Sequence, residues 1–224
     1  MQSRPTNTVL VWDLPTRITH WLLALSFLGA YVTSGEDDWQ TVHFMLGYTM
    51  LGLAAFRIIW GLMGSRYARF GDFVAGPAKA LSYLRSLHSS QPQHYVGHNP
   101  AGGLAILALL GLIILTGASG FMHYKELAGE WMEELHQVLG NVLLTVVIIH
   151  ILAVIASSRL HKENLARAMV TGYKQGEQKD AITAASKALG IVILLAVLGF
   201  WASYYTQEAN APKHHDAKQQ HDDD

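Results

Sequence analysis

Residues 136 to 150 read His136-Gln-Val-Leu-Gly-Asn-Val-Leu-Leu-Thr-Val-Val-Ile-Ile-His150, an apolar stretch with a histidine at each end. In an α-helix, fourteen steps of about 100° end within roughly 40° of four whole turns, so both imidazoles lie on one face. At about 1.5 Å rise per residue, they are about 21 Å apart. One helix therefore offers a ligand near each edge of a bilayer core about 30 Å thick.

The composition is typical of a membrane protein. Of the 224 residues, 50% are hydrophobic and 15% are charged, and the apolar residues are gathered in long runs. Each run is close to the roughly twenty residues that a helix needs to cross hydrocarbon. The runs predict five transmembrane helices, at 17–34, 42–64, 100–122, 135–158 and 187–205. The predicted fold is all-α, with a four-helix transmembrane bundle followed by a fifth, C-terminal transmembrane helix.

Positive charge is concentrated on one side of these spans. Lys and Arg occur before the first run, between the second and third, and between the fourth and fifth, whereas the other side carries only Lys125, Lys213 and Lys218. By the positive-inside rule, the N-terminus is cytoplasmic and the C-terminal tail lies outside. The predicted parts are a cytoplasmic segment at 1–16, the core at 17–176, a linker and fifth helix at 177–206, and a disordered periplasmic tail at 207–224.

The sequence contains no cysteine. Disulfides, thiolate-bound iron–sulfur clusters and covalently attached c-type haem are therefore excluded. Any haem must be held non-covalently. We expect no nucleic-acid partner.

Two further histidines, His20 and His43, lie at the start of the first and second predicted helices. A histidine in a bilayer is costly and usually faces the bundle interior, so four of them at two matched depths need a joint explanation. The predicted orientation pairs His20 with His150 at the inner face, and His43 with His136 at the outer face. Haem iron accepts two neutral imidazoles along one axis, so the sequence predicts two b haems, one at each face.

Three residues near these histidines are further candidates for cofactor binding. Gly47 and Gly140 follow the two outer histidines by one turn, where a side chain would collide with a macrocycle, although glycine is also common in membrane helix packing. Arg57 follows His43 by fourteen residues, so it lies on the same face at the inner depth. It should pair with an anion, and a haem propionate fits. A quinone carbonyl, or snorkelling to the inner surface, would also serve.

Other polar and small residues carry weaker signals. The glycines of the third helix permit close approach of backbone or cofactor, and plain helix packing explains them equally well: Gly102, Gly103, Gly111, Gly117 and Gly120. We interpret His123 as a surface residue. We interpret the loop histidines as non-ligands: His88, His94 and His98.

The loops differ in charge and pattern. Both outer loops are acidic, which follows either from retention of Lys and Arg inside or from a docking surface for a basic partner. On the cytoplasmic side, residues 79–87 predict an interfacial amphipathic helix, with a solvated loop as the alternative. Arg66, Tyr67 and Arg69 are further candidates for propionate or quinone contacts. The histidines and aspartates of the tail indicate at most weak metal binding.

Four segments carry a resemblance to a known family: Trp12-Asp-Leu-Pro-Thr-Arg-Ile-Thr-His20-Trp21, the segment around His43, Arg57-Ile-Ile-Trp-Gly-Leu-Met-Gly-Ser-Arg-Tyr-Ala-Arg-Phe70, and the helix from His136 to His150. Over about residues 9–175, the chain resembles the prokaryotic cytochrome b561 family, which includes the b-type cytochrome subunits of nickel–iron hydrogenases. The resemblance implies a four-helix core with two b haems that passes electrons between a membrane quinone and a redox partner outside. By matching positions, it implies the same four ligands.

The favoured hypothesis is a di-haem electron-transfer subunit rather than a stand-alone enzyme. It would link the quinone pool to a periplasmic c-type cytochrome or hydrogenase-like enzyme. A superoxide:quinone oxidoreductase of the same fold is an alternative, although acidic outer loops repel an anionic substrate. A divalent-metal transporter using the same histidines is a second alternative. It predicts carboxylates beside those histidines, and the interiors of runs two to four contain none.

Overall fold

The computed structural model describes residues 7–87, 89, 92–183 and 186–210. Helices dominate these residues, and short connections join them. In chain order the elements are β1 (Asn7–Leu10), α1 (Leu14–Val32), α2 (Gln40–Met63), α3 (Phe70–Phe73), α4 (Pro77–Ser86), α5 (Pro100–Tyr124), α6 (Trp131–Leu160), α7 (Leu165–Thr171), β2 (Tyr173–Gly176) and α8 (Lys187–Ala209). Two short 3₁₀ turns, Asp37–Trp39 and Gln178–Asp180, precede α2 and follow β2.

Four of the described helices are long and apolar enough to cross a membrane, namely α2, α5, α6 and α8. The first predicted span corresponds to α1, which has 19 residues but is not among these four. Its first two turns contain Pro15, Thr16, Arg17, Thr19 and His20, and these residues lower its mean hydropathy. The first span of the sequence analysis, at 17–34, and with it the total of five membrane-spanning helices, therefore stays a prediction.

The long helices form two closely packed pairs, α1 with α2 and α5 with α6, and α2 packs against α5 to join them. Leu46 and Ala54 of α2, Leu110 of α5 and Leu143 of α6 are buried in one apolar cluster where the pairs meet. In water, burial of each such side chain stabilises a fold by about 1.5–3 kcal/mol. Inside a bilayer, helix association depends more on close packing and hydrogen bonds.

Helix α8 packs on the α1–α2 pair. Ile193 and Val197 of α8 are buried against Leu22 and Leu53. The indole nitrogen of Trp201 also donates a hydrogen bond of 2.8 Å to the Thr49 hydroxyl. These contacts make α8 a packing partner of the bundle. Helix α8 continues to Ala209, so residues 207–209 of the predicted tail are helical; His88 and residues 211–224, which include His214, His215 and His221, lie outside the described residues.

A small two-stranded sheet, which the sequence analysis did not predict, accompanies the predominantly helical fold. β1 and β2 pair antiparallel, with Asn7 opposite Gly176 and Leu10 opposite Tyr173. The turn before β2 depends on Gly172, whose φ is +90°, a value that favours glycine. Each strand has four residues without strict alternation, so the pairing of the two chain segments is a long-range outcome that local patterns do not encode.

The amphipathic helix predicted at 79–87 is confirmed as α4. Ala80 and Tyr83 are buried, while Leu81 and Leu84 on the other face are exposed. Helix α4 packs against α5.

Asp13 connects the start of α1 with the end of α2. Its side chain accepts a hydrogen bond of 2.8 Å from the Thr16 backbone and so caps α1. It also accepts one of 3.0 Å from the Trp60 indole, near the end of α2. The helix that carries His20 is thereby fixed against the helix that carries His43.

Candidate functional site

The fold brings His43 of α2 together with His136 of α6. Their ring centres are 6.0 Å apart and the rings are nearly perpendicular, at 81°. We call this pair, with the residues around it, the outer site.

Each imidazole of the outer site is oriented by a neighbouring helix. Nδ1 of His43 donates to the Ala30 carbonyl of α1 at 2.8 Å, and Nδ1 of His136 donates to the Thr116 carbonyl of α5 at 2.9 Å. Because a carbonyl can only accept, the proton lies on Nδ1 in both rings, and Nε2 keeps its lone pair. Metal-binding histidines commonly show this arrangement, in which the second nitrogen is fixed by a carbonyl.

Glycines shape the space around the outer rings. A Cβ at Gly47 or Gly140 would meet no atom of the described residues within 4 Å, so open space lies beside both glycines, and we call this space the cradle. A Cβ at Gly120 of α5 would instead lie 2.8 Å from two atoms of the His136 ring. Gly120 therefore lets α5 approach His136 closely enough for the Thr116 carbonyl to reach Nδ1.

His20 of α1 and His150 of α6 form a second pair, whose ring centres are 6.5 Å apart at an angle of 55°. We call this pair, with the residues around it, the inner site. Nδ1 of His20 is buried and has no hydrogen-bond partner among the residues that the structure describes. No glycine stands four residues after either histidine; Ala24 and Val154 occupy those positions.

The two ring separations have a common physical meaning. Two imidazoles that share one metal atom, each bonded at about 2 Å, place their ring centres about 6 Å apart. The separations of 6.0 and 6.5 Å match that requirement at both sites. The sequence analysis assembled the same two pairs from depth alone.

Arg57 lies at the inner depth of α2 with only 6% of its surface exposed. Its guanidinium faces the rings of Phe70, at 5.2 Å, and Phe73, at 5.8 Å. Both terminal nitrogens are buried, and within the described ranges neither has a hydrogen-bond partner. A charged group buried in this way is costly unless an anion pairs with it.

His98, which the sequence analysis interpreted as a loop histidine and a non-ligand, is partly buried, and its Nδ1 atom is fully buried. Its ring packs against Trp12 at 4.4 Å and against Phe73 at 4.5 Å. Burial, followed by the positive charge of Arg57, lowers the pKa of His98 to about 3, and His20 adds to the same effect. His98 therefore lies near the inner site, and no periodic pattern in its polar segment could have revealed this.

The other candidates from the sequence have protein partners or lie at the surface. The Tyr67 hydroxyl donates to the Asp180 carbonyl at 3.0 Å, and Arg69 pairs with Asp72 at 2.8 Å. Arg66 lies over the Tyr67 ring at 5.2 Å and is exposed. His123 is exposed at the end of α5, as expected. A role of Arg66, Tyr67 and Arg69 in propionate or quinone binding stays a prediction.

A buried ion pair that the sequence analysis missed lies beyond the inner end of α6. Lys174 of β2 contacts Glu163 at 3.3 Å, and His94 is 3.7 Å from the same carboxylate. Burial alone would raise the pKa of Glu163, but the hydrogen bond from His94 and the charge of Lys174 outweigh it and lower the pKa to about 2. The pair ties β2 to the end of the helix that carries His150.

Comparison with known families was made on the whole sequence. The family model described as prokaryotic cytochrome b561 matches residues 11–172. The chain belongs to the prokaryotic cytochrome b561 family. It is therefore a multi-pass membrane protein that binds b-type haem and takes part in electron transport.

Relatives of this cytochrome b561 chain come from several bacteria. The Azotobacter vinelandii protein, described as a probable Ni/Fe-hydrogenase B-type cytochrome subunit, is 24% identical over 219 residues, covering 76% of this chain and 90% of that protein. The Cupriavidus necator protein of the same description is 26% identical over 214 residues, covering 73% and 86%. The Azotobacter chroococcum protein is 28% identical over 163 residues, covering 59% and 67%. No solved structure matches the chain.

The residues of this cytochrome fit b-type haem. The paired rings, the fixed Nδ1 atoms of the outer site, the open Cβ directions at Gly47 and Gly140, and the unpaired guanidinium of Arg57 meet its needs for ligands, room and a propionate partner. Throughout the described part of the chain, no group of three or more His, Cys, Asp or Glu side chains is placed to hold a bare metal ion.

Proposed function

We propose that this chain is the membrane electron-transfer subunit of a bacterial oxidoreductase. It carries electrons across the inner membrane between the quinone pool and a periplasmic redox enzyme, through two b haems. The N-terminus is cytoplasmic, and all five long helices cross the bilayer. The observation that carries this proposal is the presence of two histidine pairs with ring separations of 6.0 and 6.5 Å at opposite ends of α6.

The chain's own residues perform three tasks in this proposal. His43 and His136 hold one haem and His20 and His150 the other, as neutral imidazoles that ligate through a free nitrogen. The backbone carbonyls of Ala30 and Thr116 fix the outer imidazoles and raise their basicity. Bound haem supplies reversible one-electron chemistry, and the protein supplies position and electrostatics.

The periplasmic partner is proposed from two independent supports. Relatives that align with more than 80% of their own length are described as hydrogenase cytochrome subunits, so a hydrogenase-like enzyme is the favoured partner. The outer end of the bundle also exposes an acidic loop, which would steer a basic surface. Its carboxylates are Glu126, Glu130, Glu133 and Glu134. A c-type cytochrome with a basic face is the second partner class.

The haem assignment is tested by spectroscopy of the full chain, expressed with ample iron and haem precursor. We expect two b haems per chain, with b-type bands on dithionite reduction. His136→Ala and His150→Ala should each remove one haem and leave the other partly populated. His123→Ala, which alters an exposed histidine near the same outer end, is the matched control and should keep both. A colourless wild-type preparation, or a ligand variant that keeps two haems, would contradict the proposal.

The proposed path of electrons between the two membrane faces is tested in oriented proteoliposomes, with a quinol inside and a soluble acceptor outside. We expect haem reduction by quinol at the inner face and oxidation by the acceptor at the outer face. His136→Ala should interrupt the outer step while quinol still reduces the remaining haem. Equal quinol reactivity from both sides, or electron transfer that survives His136→Ala, would reject the proposed path.

A further inference from the structure

Arg57 and His98 lie side by side at the inner site, each with a buried nitrogen that no described residue satisfies. We propose that these two residues jointly bind a propionate carboxylate of the inner haem. The propionate edge of that haem then faces the cytoplasmic segment between α2 and α5. This inference rests on the proposed function, because it requires a haem between His20 and His150.

Protein carboxylates do not account for Arg57. Asp13 is the carboxylate whose charge acts on its guanidinium, but the two form no ion pair. Each Asp13 oxygen already accepts a hydrogen bond, Oδ1 from the Thr16 backbone at 2.8 Å and Oδ2 from the Trp60 indole at 3.0 Å. The phenylalanine rings on Arg57 offer only a weak attraction, about 0.5–2 kcal/mol, which is small against the cost of burying an unpaired charge. A further anion is needed.

The position of Arg57 indicates that the anion is a propionate of the inner haem. It lies fourteen residues after His43, on the helix face that carries the outer ligand and at the depth of His20 and His150. A haem held by that inner pair places its propionates within the bundle at that depth. The planar guanidinium can bind a carboxylate through two parallel hydrogen bonds, the strongest arrangement available to it.

His98 is the second residue of this proposed site. Its ring and the Arg57 guanidinium pack on the same side chain, Phe73, so the two groups are neighbours. Nδ1 of His98 is buried, and no described residue is its hydrogen-bond partner. A carboxylate oxygen at Nδ1 supplies the missing acceptor for a neutral ring whose proton lies on that nitrogen. Trp12 and Phe73 exclude water from this contact.

Redox titration of the two-haem protein tests the inference. Removing a positive charge beside one haem favours its oxidised state, so Arg57→Gln should lower the inner midpoint potential. We expect a shift of about tenfold in the relative binding of the two oxidation states, which is about 59 mV for a one-electron couple. The outer potential should not move. Arg57→Lys keeps the charge but cannot form the two parallel hydrogen bonds of a guanidinium, so its inner midpoint potential should lie between those of Arg57→Gln and the wild type.

His98→Phe keeps an aromatic ring between Trp12 and Phe73 but removes the hydrogen-bond donor. It should therefore lower the inner midpoint potential too, by an amount that corresponds to about a threefold change in the relative binding of the two oxidation states. His94→Phe, in the same loop but exposed, is the matched control and should leave both potentials unchanged. Because both residues bind one carboxylate, the Arg57→Gln and His98→Phe effects should be non-additive in the double variant.

Reconstitution of haem-free protein separates propionate binding from other roles. The wild-type inner site should bind haem b at least tenfold more tightly than its dimethyl ester, and Arg57→Gln should remove most of that preference. Equal binding of the two compounds, or an unchanged inner potential in Arg57→Gln, would overturn the inference. A changed quinone affinity with an unchanged inner potential would overturn it too, and would assign Arg57 to a quinone. A colourless preparation would instead reject the proposed function itself.

Discussion

The two ends of the bundle hold their histidine pairs at nearly the same separation, but the groups that surround the two pairs differ. At the outer site, both imidazoles are fixed by backbone carbonyls, and three glycines shape the surroundings. At the inner site, the surroundings are side chains, above all the buried Arg57 and the partly buried His98. The outer site is thus built from helix geometry and the inner site from charge and hydrogen bonding. Apart from the four histidines themselves, substitutions at the outer site should change haem occupancy, and substitutions at the inner site should change the haem midpoint potential.

Gly140→Leu should have the largest effect on that contrast. The added side chain enters the cradle beside His136, where no described atom stands within 4 Å of a Cβ. We expect haem content to fall from two to one per chain, with the inner haem and its potential retained. Haem-to-protein ratio and redox titration measure this.

Gly199→Leu on α8 is the matched control, because a Cβ there also meets nothing within 4 Å among the described residues. It should leave both haems in place. If Gly140→Leu retained two haems, the cradle would not be a haem site, and the contrast between the two ends would lose its basis.

Gly120→Ala should produce the next largest effect, also confined to the outer site. Its Cβ would lie 2.8 Å from the His136 ring, so the ring or helix α5 must shift. The hydrogen bond from Nδ1 to the Thr116 carbonyl would be strained, and loss of such an orienting bond weakens metal binding by about 10–100-fold. Titration of haem-free protein with haem b measures the affinity of each site. Gly111→Ala on the same helix, where a Cβ has open space, should bind haem as the wild type does. Equal affinities in the two variants would show that close approach of α5 is unimportant.

The sequence predicts more of the outer site than of the inner one, and the physical reason is the same contrast. His43, Gly47, His136 and Gly140 lie at helical spacings, and helical geometry carries them into place. His98 lies in a polar segment whose position depends on contacts with Trp12, far away in sequence. Spacing also places Arg57, which is buried, fourteen residues after His43 on α2.

The predicted boundaries also show where local patterns stop being informative. Hydrophobicity marked the second run at 42–64, and α2 is Gln40–Met63. The β1–β2 pairing depends instead on the left-handed turn at Gly172, which brings residues more than 150 positions apart into register. Neither strand is long or alternating enough to reveal it. Long-range polar contacts near the end of α6, including Lys174 with Glu163, were missed for the same reason.

Glu163→Gln should weaken the inner end of the bundle selectively. Breaking a buried ion pair costs about 3 kcal/mol, because Lys174 is left buried without its counter-charge. The pKa of Glu163 in the folded protein, about 2, is below its unfolded value, so its contribution is fully present above about pH 4.5 and is lost as the pH falls toward 2. Thermal unfolding in detergent from pH 7 down to pH 3 should therefore show the wild type and the variant converging.

The exposed pair of Arg69 and Asp72 provides the comparison for this effect. Asp72→Asn should change the free energy of unfolding by less than about 1 kcal/mol at every pH, because exposed ion pairs contribute little. A pH-independent difference for Glu163→Gln would show that packing, rather than charge, holds β2 to the end of α6.

Ser119→Ala should have the smallest effect, although Ser119 is buried next to an outer ligand. Its hydroxyl is 3.4 Å from Nδ1 of His136, while the Thr116 carbonyl accepts from the same nitrogen at 2.9 Å. The Ser119 hydroxyl also donates to that carbonyl at 2.9 Å, so its removal leaves the imidazole with its main acceptor. We expect both haems to be retained and the outer potential to move by less than the inner potential moves in Arg57→Gln. A larger shift would mean that a side chain, rather than the backbone, sets the electronic properties of the outer haem, and the two ends would then be built on the same principle.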